Sequence, residues 1–138
     1  MKALIVDDSS FMREYLRHLV EKMGIVCEEA ADGSQALEVL RGMDDVELVL
    51  LDVNMPVMNG LECVRRMRAA GLGRETKVMM VTTEADNDFI QRALEAGADE
   101  FLMKPFTAEG LREKMCMMAG LLQNRYPMRH RFTVGLLN

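Results

Sequence analysis

Short apolar runs alternate with amphipathic stretches along this chain, and few folds accommodate that alternation. Ala3 to Val6, Leu48 to Leu51, Val78 to Val81 and Phe101 to Met103 are too short for helices and too continuously apolar for a half-wetted sheet. They read as strands of a parallel sheet buried on both faces. Val26 to Ala30 is a weaker fifth strand, second in chain order. Between the strands, Phe11, Tyr15, Leu19 and Met23 recur every four residues beside Leu16 and Val20, the stripe of an amphipathic helix that Gly24 ends. Asp32-Gly33 opens a second helix carrying Ala36, Leu37 and Leu40 and closed by Gly42. After a turn from Asn54 to Gly60, Leu61, Val64, Met67 and Arg68 mark a third. Phe89, Ile90, Ala93 and Leu94 make a fourth, stopped at Gly97, and Leu111, Met115, Met118 and Leu122 make a fifth. Five strands alternating with five helices predict a doubly wound α/β fold, with helices on both faces of the sheet.

At 138 residues the chain suffices for one domain with a real core. No apolar stretch approaches the roughly 18 residues of a membrane span, and no secretory signal opens the sequence, so the expected compartment is the cytoplasm. A net charge of -5 argues against nucleic acid as a direct partner. Cys27, Cys63 and Cys116 are odd in number and widely spaced, and read as buried reduced thiols. Among fourteen methionines, Met12, Met23, Met67, Met115 and Met118 fall on apolar helical faces and are expected to fill core gaps. His18 and His130 lack ligand-like neighbours and read as structural or solvated.

The chemistry gathers where the strands end. The first run ends in Asp7 and Asp8, the third strand in Asp52, the fourth in Thr82, and the fifth in Lys104 followed by Pro105. Laid side by side, these strands bring three carboxylates, a hydroxyl and an ammonium to one edge of the sheet, where ligands bind in open α/β folds. Crowded carboxylates repel unless positive charge sits among them, so the arrangement predicts a hard divalent cation such as Mg²⁺ on oxygen ligands, with Asp8 and Asp52 as direct ligands. Asp52, rigidly held on an apolar strand, is the candidate nucleophile toward phosphorus, and Lys104 and Thr82 are placed to bind the remaining phosphoryl oxygens. Asp32 and Asp86, by contrast, read as helix caps.

The segments LIVDDSS, LLDVNMPVMNG, VTTEAD and AGADEFLMKPF together resemble the receiver domains of bacterial two-component response regulators, from Lys2 to about Leu122. The resemblance implies a flavodoxin-like (βα)5 fold with strand order 2-1-3-4-5. It implies a receiver domain over residues 1–124, followed by a basic and apolar tail or truncated linker over 125–138. It implies that Asp52 takes a phosphoryl group from a histidine kinase or phosphotransfer domain, that Asp8, Asp52 and the backbone carbonyl of Asn54 bind Mg²⁺ or Mn²⁺ with Asp7 acting through water, and that Thr82 and Lys104 hold the phosphoryl group. Pro105 is similar to a proline that follows a cis peptide bond. Phe101 sits where an aromatic switch residue lies and would turn inward as Thr82 moves, so that phosphorylation is read on the fourth helix, fifth strand and fifth helix by a protein partner.

Within the family, Asn54, Glu84 and the segment FTAEGLREKM look most like the single-domain chemotaxis regulators of the CheY-like type, whose partner would be the flagellar motor switch. Asn54 and Glu84 flank the approach to the site, where they would favour a short-lived phosphorylated state. Thr83, where many members carry Ala, narrows that approach. On this reading the protein is a monomer or weak dimer and a switch rather than an enzyme, catalysing only its own phosphotransfer and dephosphorylation. Two alternatives stand beside it: a fragment of a longer regulator that has lost its output domain, and an aspartyl-nucleophile phosphatase. The second wants DxD after the first strand, whereas Asp7 and Asp8 are adjacent. A flavin or nucleotide binder would want a Gly-rich or Ser/Thr-rich phosphate loop there. The stretch from Arg125 to Asn138 reads as an ordered tail or an interaction segment, in which Phe132, Val134 and Leu136 alternate as in a strand.

Overall fold

A computed structural model describes residues 2–83 and 86–125, with 119–125 as backbone only. In it β1 (Lys2–Val6), α1 (Ser10–Glu21), β2 (Val26–Ala30), α2 (Gly33–Gly42), β3 (Val46–Asp52), α3 (Gly60–Ala69), β4 (Lys77–Thr82), α4 (Asn87–Ala96), β5 (Glu100–Met103) and α5 (Ala108–Arg125) follow one another without interruption. The strands form one parallel sheet in the order β2-β1-β3-β4-β5. That is the predicted class and order.

Side chains of a strand alternate between faces, which explains why the inner strands β1, β3 and β4 are apolar on both faces, whereas the edge strands β2 and β5 carry Glu28, Glu29 and Glu100 and leave Val26 and Met103 exposed. Ala3, Ile5, Leu48, Leu50, Met79 and Val81 face one way and pack with Leu16, Val20, Leu111 and Met115 of α1 and α5. Leu4, Val6, Val49, Leu51, Val78 and Met80 face the other way and pack with Leu37, Leu40, Val64, Met67, Phe89 and Ala93 of α2, α3 and α4. Met23, Met67, Met115 and Met118 are buried, as expected of gap fillers, and Met12 is partly buried. Asp32 and Asp86 accept from the backbone N–H groups of Gln35 and Phe89 and do cap α2 and α4.

Two expectations need correction. On α1, Phe11 is 74% exposed and Tyr15 38% exposed, while Leu16 and Val20 are the fully buried pair. A row spaced by four drifts around a helix of about 3.6 residues per turn, so its early members leave the buried stripe. Tyr15 instead stacks on Phe106, with ring centroids 6.0 Å apart. Among the thiols, Cys27 and Cys63 are buried but Cys116 is exposed, on the solvent side of α5. Glu84, His130 and the segment 126–138 lie outside the described residues, as does the side chain of Leu122.

Candidate functional site

Asp52 is the last residue of β3 and Thr82 the last of β4, and Asp7 and Lys104 directly follow β1 and β5. Because β1 lies between β2 and β3, the acidic pair of β1 and the carboxylate of β3 meet where the strand order reverses. Carboxylate oxygens of Asp7, Asp8 and Asp52 lie within 4.8 Å of one another. Asp7, Asp52 and Thr82 are buried, whereas Asp8, Asn54 and Thr83 are exposed. The sheet thus holds one layer of the site in the protein and presents the other to solvent.

Lys104 reaches back across the sheet edge. Its Nζ donates to Asp52 Oδ1 at 3.0 Å and lies 3.5 Å from Asp7 Oδ2. The Lys104 backbone N–H donates to the Thr82 carbonyl at 2.8 Å, tying the end of β4 to the turn after β5, and the Lys104–Pro105 peptide bond is cis. Burial pushes the Asp52 carboxyl above its ordinary pKa; the hydrogen bond from Lys104 opposes this, and the charges of Asp7 and Asp8 add to it. Burial alone would lower the Lys104 pKa, but the hydrogen bond and charge of Asp52, with Asp7 behind it, outweigh burial and raise it. The ammonium is therefore charged, and the acidic cluster is short of positive charge.

The loop after β3 is folded tightly under Asp52. The Gly60 N–H donates to the Val53 carbonyl at 2.9 Å, and a Cβ at Gly60 would overlap the Asp52 carbonyl and lie 2.9 Å from Val53 Cα. Only glycine allows α3 to start so close behind the carboxylate. Asn59 then caps α3 through the Glu62 N–H. Phe101, half-buried, packs edge-on against Phe89 of α4, with ring centroids 6.4 Å apart and an interplanar angle of 72°. It pairs in register with Met80 of β4, on the α4 side of the sheet.

The donor set suits a hard cation. All three clustered residues offer carboxylate oxygens, and Asp7 Oδ2 is buried yet accepts no hydrogen bond. Lys104 Nζ at 3.5 Å from it is an ion-pair neighbour beyond good hydrogen-bond range. A cavity of about 720 Å³, lined by Met43, Leu72 and Arg74 among others, opens at the opposite end of the sheet and includes none of these groups.

Residues 3–115 match the family model of the response regulator receiver domain. The chain belongs to that family. Over 121 residues this receiver domain is 38% identical to chemotaxis protein CheY1 of Helicobacter pylori strain J99, covering 87% of this chain and 98% of that protein. Among solved structures, Vibrio cholerae chemotaxis protein CheY4 superposes with a TM-score of 0.80 at 35% identity, covering 85% of this chain and 97% of that one. A CheX–CheY–BeF₃–Mg²⁺ complex from Borrelia burgdorferi gives a TM-score of 0.80 at 25% identity, covering 86% of this receiver and 89% of that chain. Receiver domains of this type are signalling switches rather than classical enzymes, and they bind Mg²⁺ at an acidic pocket. No helix among the described residues is long and apolar enough to cross a membrane.

One participant in the site escaped the motif-based reading. Arg13 of α1 donates from Nη1 to the Asp7 backbone carbonyl at 2.6 Å and from Nε to Glu29 Oε1 at 3.0 Å. Its partners are distant in sequence or lie on the backbone, so neither spacing nor composition marks it.

Proposed function

We propose that this receiver domain is the phosphorylation-regulated switch of a two-component system, of the CheY-like chemotaxis type, with Asp52 as its phosphoacceptor. The observation that carries this is the set of three carboxylates within 4.8 Å with a lysine ammonium 3.0 Å from Asp52. In the proposed reaction an Asp52 carboxylate oxygen attacks the phosphorus of a histidine kinase's phosphohistidine. The new O–P bond forms as the N–P bond breaks, and the nitrogen keeps the electron pair and takes up a proton. Asp7, Asp8, Asp52 and the Asn54 carbonyl would hold Mg²⁺ or Mn²⁺, which when bound neutralises charge on the phosphoryl oxygens. Lys104 and Thr82 bind the other oxygens. These groups stand in place before reaction, so little reorganisation is needed.

The added group carries about −1.5 to −2 charges at neutral pH. Lys104 and Thr82 respond to it, and Phe101 turns inward into the space that Thr82 vacates. The surface of α4, β5 and α5 then changes for a downstream protein, with a flagellar motor switch as the partner suggested by the chemotaxis relatives. Asn54 and Thr83, exposed beside Asp52 and Thr82, set with Glu84 the rate at which water removes the group. The receiver would occupy 1–124, with 125–138 as a tail. Intact-mass measurement after incubation with Mg²⁺ and a small phosphodonor tests the assignment. Wild type gains one phosphoryl group, and Asp52→Asn gains none; equal modification of the variant would remove Asp52 from its role.

A further inference from the structure

Asp7 is fixed on three sides while its Oδ2 accepts no hydrogen bond. Its N–H donates to the Ala30 carbonyl at 3.2 Å, its Oδ1 accepts from the Ser9 N–H at 2.9 Å, and its carbonyl accepts from Arg13 Nη1 at 2.6 Å. Arg13 is itself held. Its Nε donates to Glu29 Oε1, and the second oxygen of Glu29 accepts from Arg17 Nη1 at 2.6 Å, while Arg17 Nε donates to Glu21 at 3.0 Å. A chain of charge-assisted hydrogen bonds therefore runs from α1 through β2 to the backbone that presents Asp7 and Asp8. The Arg13 side chain is only 18% exposed, and its planar fork serves a carboxylate and a carbonyl at once, which an ammonium does not reproduce.

We propose that Arg13 is a positioning residue for cation binding: oriented by Glu29, it locks the turn after β1 so that the carboxylates of Asp7 and Asp8 face Asp52. The inference rests on the reading of these carboxylates as a cation site. Its sign separates it from the simplest alternative. A positive charge beside three carboxylates, acting as a charge alone, opposes a divalent cation, so its removal tightens binding. Glu29 neutralises that charge and leaves the geometric role, whose removal weakens binding, as loss of groups that orient metal ligands does by about 10- to 100-fold.

Isothermal titration of the purified chain with Mg²⁺, with circular dichroism on each variant to establish folding, decides between them. Arg13→Ala and Arg13→Lys are expected to weaken Mg²⁺ about tenfold. Glu29→Gln weakens it in the same direction, and the Arg13→Ala, Glu29→Gln double variant binds no worse than Arg13→Ala, because the two act as one unit. Arg17→Ala breaks ion pairs in the same chain without touching Asp7, and is expected to stay within about twofold of wild type. Unchanged or tighter binding in folded Arg13→Ala, full affinity in Arg13→Lys, or a loss in Arg17→Ala as large as in Arg13→Ala would overturn the proposal. If Arg13→Ala does not fold, Arg13→Lys and Glu29→Gln decide by the same criteria. Wild type that binds no Mg²⁺ defeats the reading of the site itself, an outcome distinct from variants that bind like wild type.

Discussion

Replacing Asp52 by Asn should make the metal-free protein more stable, because the site is built against folding. Each like-charge pair at the cluster's limiting separation of 4.8 Å costs about 3.5 kcal/mol at an effective dielectric of about 20, and Lys104 at 3.0 Å from Asp52 offsets about 5.5 kcal/mol. With two such pairs, Asp52 is left with a net repulsion of about 1–2 kcal/mol. Solvent around exposed Asp8 reduces this, and burial of Asp52 adds to it. Asn keeps the shape and removes the charge, so Asp52→Asn should raise Tm by about 5 °C for a chain of this size. The pH dependence follows from the direction of the shift. Asp52 has a folded-state pKa raised by burial, so its protonated form favours folding. That contribution is fully present below the unfolded carboxyl pKa of about 4 and is lost as pH rises through the folded value. The advantage of Asn should open between mildly acidic and neutral pH, close again near pH ~3, and shrink in Mg²⁺, which binds the folded wild type. Thermal melts in chelator at both pH values measure it. A variant melting at or below wild type at neutral pH, or a gain undiminished in acid, would refute the electrostatic reasoning.

Gly60→Ala places a methyl against the Asp52 carbonyl and Val53 Cα, and should cost about 3 kcal/mol in urea unfolding; a neutral substitution would show the loop to be looser than described. Arg68 donates to the carbonyls of Gly73, Thr76 and Gly97, so Arg68→Ala should lose about 1–3 kcal/mol, and a loss within error would contradict that anchoring role. Burial pushes the Cys27 thiol up to about 12 and the Cys63 thiol up to about 11, so iodoacetamide should modify exposed Cys116 alone in the native protein. Labelling of Cys27 or Cys63 without denaturant would count against the packing.

Much of the architecture was legible because its signals are local. Buried parallel strands are apolar on both faces, as Leu48 to Leu51 is, and Asp32 and Asp86 announce their helices through side chains that reach three residues ahead. The site residues were legible for a related reason: each sits at the same end of a strand, so their meeting needs only parallel pairing. What was lost depends on tertiary partners. Phe11 and Tyr15 look like core in a row spaced by four, and only the packed structure shows that they leave the stripe in which Leu16 and Val20 are buried. Arg13 is an ordinary polar residue of an amphipathic helix until β2 pairs with β1 and brings Glu29 beside it. Cys116 shares its helix with buried Met115 and Met118 but falls on the other side.

If Asp52 receives a phosphoryl group, the acyl phosphate can be trapped chemically at that residue. Protein incubated with Mg²⁺ and a small phosphodonor is reduced with borohydride, which converts a phosphorylated aspartate to homoserine, and is then digested and mapped by tandem mass spectrometry. Homoserine is expected at position 52, formed only when Mg²⁺ and phosphodonor are both present. Homoserine at position 7 or 8, or none at 52 under conditions where the intact mass shows phosphorylation, would contradict that role for Asp52.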